Sequence, residues 1–200
     1  LTLGRLYKIS QNSVESEKAF QKALALDPDN EDALTGLALV YSDLGDARKA
    51  SELLKRVSDK SPNLRTFMAL AGSYEQMKEY ALAAATLRKA LEMAPENPDL
   101  KRALAQSLLY SDQFDESLKL YKELIGEDSK DVQSWLRISQ IYREQKNWEE
   151  ARKAINEAKK LEPDNLEIVF NEVGIYEAEG KLAEAVAGMK NVLDSTAKKS

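Results

Sequence analysis

An all-α fold built from repeated helical hairpins is predicted for this 200-residue chain. Three observations predict it. About half of the residues are Ala, Glu, Lys, Leu and Arg, a bias that favours helices throughout rather than a sheet. Tyr7, Tyr41, Tyr74, Tyr142 and Tyr176 fall on one ruler of 33 to 34 residues, with Leu108 in the vacant slot. Pro28, Pro62, Pro95 and Pro163 keep the same period, with Ser129 where the missing proline would stand. Two residue types with different physical roles therefore report one repeat length.

The period divides the chain into six units, approximately 1–30 (truncated at its start), 31–63, 64–97, 98–131, 132–165 and 166–199, expected to form a single array. The first begins with a helix already running at Leu1. The second shows the plan most clearly. Leu34, Leu37, Ala38 and Tyr41 make the apolar stripe of one amphipathic helix. Gly45 and Asp46 break it, and Ala47, Ala50, Leu53, Leu54 and Val57 make the stripe of a second helix. Ser61-Pro62-Asn63 closes the unit, because proline cannot continue a helix and restricts the residue before it. The third and fifth units follow this plan. The fourth departs most, with Lys101 for a large apolar residue, Leu108 for Tyr and Ser129 for Pro, and a local dip in stability is expected there. The sixth carries Glu172 where Leu37, Leu70, Leu104 and Ile138 stand in the others. Its Gly174 weakens a helix by about 1 kcal/mol relative to Ala. Looser packing is expected there.

The unit resembles the tetratricopeptide repeat. A large residue heads the first helix (Leu34, Phe67, Trp135, Val169, with Lys101 the exception), and a small one follows four later (Ala38, Ala71, Ala105, Ser139, with Val173 the larger). In the second helix the small column is Ser16, Ala50, Ala83, Ser117, Ala151 and Ala185. The bulky columns are Phe20, Leu54, Leu87, Tyr121, Ile155 and Met189, then Ala23, Val57, Ala90, Leu124, Ala158 and Val192. Small residues facing large ones let helices approach closely without voids. Trp135, Trp148, Tyr80 and Phe114 read as core in this frame. The resemblance implies a right-handed superhelical solenoid of antiparallel helix pairs, used as a protein-interaction module.

Composition narrows the chemistry. With no Cys and no His, disulfides, thiolate nucleophiles, Cys/His zinc sites and imidazole triads are excluded. No Gly-rich phosphate loop is present. The acids Asp27, Asp29, Glu31 and Asp32 lack the spacing and Gly of an EF-hand loop and suit the start of a helix, where they favour its dipole. No enzyme activity, metal or cofactor is therefore expected. A net charge of −5 opposes nucleic-acid binding, including the RNA-reading class of helical arrays. No apolar run reaches the roughly 18 residues of a membrane span, and Leu1 to Ser10 lack a signal-peptide pattern. A start at Leu1 rather than Met suggests a fragment or a processed product, so no compartment is assigned; a soluble cytoplasmic or periplasmic protein fits the composition.

The resemblance places the ligand surface on the first helices. In the second and third units this stripe is a small, weakly apolar trough of Thr35, Gly36, Leu39 and Ser42, then Arg65, Met68, Ala69, Gly72 and Glu75. In the fourth to sixth it presents donors: Arg102, Gln106, Arg137, Gln140, Arg143 and Asn171, with Phe170 as an apolar anchor. These seven are the candidate ligand-binding residues. They suit an extended peptide, with arginine forking onto a carboxylate. Charge-assisted hydrogen bonds of about 1.5–3 kcal/mol each, with one apolar anchor, reach the roughly 8 kcal/mol of micromolar binding. The competing reading pairs Arg102 with Asp99, and Arg143 and Arg137 with acids such as Glu144 and Glu167, as solvated surface. A carboxylate clamp of the chaperone-binding type is opposed by Glu167 in a basic slot. An asparagine ladder of the glycosyltransferase type is opposed by a column reading Thr2, Gly36, Ala69, Ala103, Arg137 and Asn171.

The partner expected is thus a protein or peptide. Two alternatives remain: self-assembly as a homo-oligomeric scaffold through uncapped ends or the convex face, and a docking or spacer array of a larger protein. A repeat buries its apolar face on a neighbour, and neither end shows a polar cap.

Overall fold

A computed structural model describes the backbone of residues 1–197 and the side chains of residues 1–190. Val192, the last member of its sequence column, lies outside the described side chains. Twelve helices occupy the described residues: α1 (Thr2–Ile9), α2 (Ser13–Leu26), α3 (Glu31–Asp43), α4 (Ala47–Lys60), α5 (Leu64–Gln76), α6 (Tyr80–Met93), α7 (Pro98–Tyr110), α8 (Phe114–Glu127), α9 (Val132–Glu144), α10 (Trp148–Leu161), α11 (Leu166–Glu179) and α12 (Leu182–Ala197). They divide between two compact units, Leu1–Asp112 and Gln113–Ser200. In the first, α1 pairs with α2, α3 with α4 and α5 with α6, and each second helix also packs on the next first helix, through α2 on α3, α4 on α5 and α6 on α7. In the second, α9 pairs with α10 and α11 with α12, while α8 packs on α9, α10 on α11, and α9 touches α11.

One turn recurs inside the hairpins. Gln11, Gly45, Lys78, Asp112, Lys146 and Gly180 each have φ between 58° and 84°, the left-handed region. The residue after each of five of them donates its N–H back to the tyrosine column: Asn12 to Tyr7 at 2.9 Å, and Asp46, Glu79, Asn147 and Lys181 to Tyr41, Tyr74, Tyr142 and Tyr176 at 2.8 Å. With Gly45 N–H also donating to the Ser42 carbonyl at 3.0 Å, this is a Schellman closure. The same residue then opens the next helix: Asn12, Asp46 and Asn147 accept from Glu15, Lys49 and Glu150 N–H groups. Only two of the six left-handed positions are glycine. At Gly45 an added Cβ meets nothing within 4 Å, so its requirement is the backbone angle alone.

The two helices of a hairpin cross at the small columns. Gly4, Ala38, Ala71, Ala105 and Ser139 in first helices are buried, as are Ser16, Ala50, Ala83, Ser117, Ala151 and Ala185 in second ones. Serine at a crossing keeps its hydroxyl bonded to the opposing backbone: Ser16 Oγ donates to the Gly4 carbonyl at 2.8 Å and Ser139 Oγ to the Ala151 carbonyl at 2.9 Å. The closest approach is at Phe20, whose ring lies between α1 and α3. A Cβ on Gly36 would stand 2.4 Å from the ring, and one on Gly4 2.9 Å.

The departures seen in the sequence are absorbed locally. Lys101 is buried, with its Nζ 3.8 Å from Glu96. Leu108 is fully buried, and the Ser129 carbonyl accepts the Trp135 indole N–H at 3.3 Å. Glu172, half-buried on α11, accepts from Lys159 Nζ of α10 at 2.8 Å, so an ion pair stands where the other repeats place a leucine or isoleucine. Trp135 and Trp148 pack partly buried against Leu136, Ile155 and Ile168.

Two stability predictions follow from these contacts. Lys146→Gly should raise the urea-unfolding free energy by about 0.5–1 kcal/mol, and Gly45→Ala should lower it by about 1 kcal/mol, because only the left-handed angle changes in cost. Gly36→Ala should lower stability by about 1–3 kcal/mol through collision with Phe20. Gly72→Ala, where an added Cβ meets nothing within 4 Å, should instead gain up to about 1 kcal/mol from helix propensity.

Candidate protein-interaction surface

The residues expected to bind are divided between the two compact units. Arg102 and Gln106 lie on α7 in the first. Arg137, Gln140 and Arg143 on α9 and Phe170 and Asn171 on α11 lie in the second. Because α9 touches α11, these five share one face region. Phe170 is half exposed there, the state of an unfilled anchor rather than of a core residue.

The donors already have local partners. Arg137 Nη1 donates to Gln140 Oε1 at 2.9 Å, Asn171 Nδ2 to the Glu167 carbonyl at 2.8 Å, and Arg143 Nη2 to Glu144 at 3.2 Å. Arg102 stands 3.7 Å from Asp99. Two of the ion pairs weighed in the sequence are therefore formed. Arg137 pairs instead with a neutral amide, and Glu167 takes Gln133 across from α9 at 3.2 Å. All are surface contacts, worth about 0–1 kcal/mol apiece, and exchangeable for a ligand's groups. Gly174 gains a role from its missing side chain: Arg143 Nη1 lies 3.1 Å from where a Cβ would be, so the guanidinium rests against the α11 backbone.

A concavity of about 400 Å³ lies in the first unit among α1, α3 and α5. Phe20, Gly36, Thr35 and Leu39 line it, with Ile9, Arg5, Lys8, Asp32 and Arg65 around them. Arg5 pairs with Asp32 at 2.9 Å and Lys8 with Asp43 at 3.4 Å, while Arg65 has no ion-pair or hydrogen-bond partner among the described residues. The sequence shows Thr35, Gly36, Leu39 and Arg65 on one stripe. Arg5, Lys8 and the Phe20 ring escape it, because they come from other helices. The signal that finds Phe20 is the pair of glycines flanking its ring.

The acids between α2 and α3 face separate protein partners. Asp27 accepts from Asn30 Nδ2 at 3.1 Å, Asp29 pairs with Lys60 at 2.6 Å and Arg56 at 3.3 Å, Glu31 accepts from Ser61 Oγ, and Asp32 takes Arg5. Among the described residues no three acids converge on a metal-sized position. The hydrogen bond and charge of Lys60, with Arg56 behind it, hold the Asp29 carboxyl below the usual range. A depressed folded-state pKa means that the contribution is present at neutral pH and is lost as pH falls through that value. Asp29→Asn should therefore lower the melting temperature slightly at pH 7, and the difference from the parent should close in acid below the depressed pKa.

A chain of short helical hairpins, closed by a recurrent left-handed turn and presenting its first helices to solvent, defines a helical-repeat interaction protein. The family model described as tetratricopeptide repeat matches residues 11–71, 64–97 and 102–165, most of the chain, and the chain belongs to that family. Superkiller protein 3 of Schizosaccharomyces pombe is 25% identical over 199 residues, covering 94% of this chain and 14% of that protein. The protein O-mannosyl-transferase TMTC1 of Homo sapiens is 27% identical over 137 residues, covering 68% of this chain and 16% of that protein. The chain thus spans less than a fifth of the length of these curated relatives. A tetratricopeptide repeat protein from Parabacteroides merdae superposes with a TM-score of 0.78 at 17% identity, over 96% of this chain and 76% of that one. MamA from Desulfovibrio magneticus does so at 0.69 and 13% identity, over 82% and 93%. These likenesses show the all-α tetratricopeptide-repeat fold. No helix among the described residues is long and apolar enough to cross a membrane.

Proposed function

We propose that this chain is a non-catalytic protein-interaction module that binds extended segments of partner proteins along its first-helix faces. The concavity among α1, α3 and α5 carries the reading. It offers an aromatic and aliphatic lining under the unpaired cation of Arg65, which suits a segment with one apolar side chain and a nearby carboxylate. Arg102 and Gln106 on α7, and Arg137, Gln140, Arg143, Phe170 and Asn171 on α9 and α11, supply the further donors and anchor assigned to the same role. The absence of Cys and His from the whole sequence supports the non-catalytic part. The short span of this chain within its two curated relatives favours a second reading, a docking array that serves a larger protein.

Peptides selected from a random display library against the chain provide the test. Binding measured by fluorescence anisotropy should weaken at least tenfold on Arg65→Glu for those seated in the first unit. For those seated in the second, Arg137→Glu or Phe170→Ala should have that effect. Lys55→Glu, on the exposed side of α4, should change nothing. Peptides insensitive to all of these first-helix variants would refute the assignment.

A further inference from the structure

The first helix and the last present apolar side chains to solvent at positions that every internal repeat buries. On α1, Leu3 is 55% and Leu6 57% exposed. One period on, Leu37 is 4% and Val40 1% exposed; at later repeats Leu70, Leu104 and Ile138, and Ile141 and Ile175, are likewise buried. On α12, Met189 is 37% exposed, whereas Phe20, Leu54, Leu87, Tyr121 and Ile155 in the same column are all 3% or less. Leu182 and Val186, on the same side of α12, are 66% and 53% exposed.

The internal joints show what covers these positions. Where α2 meets α3, Phe20 packs with Leu37 and Val40 in one buried cluster. Where α10 meets α11, Ile155 packs with Ile175. A second helix offers the bulky side chain and the following first helix offers the aliphatic pair. Met189 on α12 is the bulky half of such a joint without its aliphatic partners; Leu3 and Leu6 on α1 are the aliphatic pair without its bulky partner. The two faces complement each other as the halves of every internal joint do, and a second copy of this chain carries both.

We propose that copies of this chain associate head to tail, with α12 of one molecule seated on α1 of the next in the register of the internal joints. The contact is heterologous, so each copy keeps one free end of each kind and addition continues. It uses end faces rather than the first-helix surface, so it goes beyond peptide binding and stands or falls separately from it.

Sedimentation velocity and light scattering on the 200-residue chain, without added peptide, test the proposal. The mean mass should rise with concentration above the 22.4 kDa of one chain. Leu6→Glu and Val186→Glu, both on exposed positions, should each return it to one chain at concentrations where the parent associates. Mixed in equal amounts, the two variants should form a species of two chains and stop there, because one retains an intact α12 face and the other an intact α1 face. Circular dichroism checks that each variant stays helical, and Leu3→Lys with Leu182→Lys provides a second pair. A parent mass constant at one chain across the range would overturn the proposal. So would variants that associate as well as the parent, or a mixture no heavier than its components.

Discussion

The crossing of two helices at a pair of small residues is the constraint on which the rest of each hairpin depends. Ala38 against Ala50, or Ala71 against Ala83, leaves no side chain thick enough to hold the backbones apart, so the helices close until the larger columns interlock. That depth explains why Leu34, Leu54 and Ile155 are fully buried in helices of only thirteen or fourteen residues. It also explains why polar substitution is tolerated there as serine. Ser16 and Ser139 lie close enough to an opposing carbonyl to bond it, and a buried hydroxyl with a partner avoids the desolvation cost of an unpaired one.

A second constraint, the left-handed turn, fixes how one helix hands over to the next. The residue that closes the first helix through the tyrosine carbonyl is often also the N-cap of the second, so two sets of orphan backbone groups are satisfied by a single position. Such economy keeps the turns short, and short turns keep the small columns in register. The strain at Gln11, Lys78, Asp112 and Lys146 is tolerated because the surrounding bonds over-determine the angle.

With packing committed to the inner columns, recognition falls to the first-helix surface, where side chains are only half engaged. Arg137, Arg143 and Asn171 hold one another's neighbours rather than a buried network, and no described side-chain polar atom is left buried without a partner. The surface is stable without ligand and yet exchangeable. Glu172 and Gly174 show how the sixth repeat reaches the same end by other means, an ion pair to Lys159 and a seat for Arg143.

The sequence alone determined the helical class, the repeat length and the assignment of columns to core, because the helical period and the 34-residue period are local properties that survive in one dimension. It also placed Arg137, Gln140, Phe170 and Asn171 on first helices, and it separated Trp135 and Trp148 from any ligand role. It did not reveal that Arg137 turns to Gln140 rather than to an acid, that Lys101 is buried, or that a concavity forms where Arg5, Lys8, Phe20 and Arg65 meet from four helices. Those outcomes required tertiary structure. They depend on distances between side chains far apart in the chain, and only the approach of the helices sets those distances.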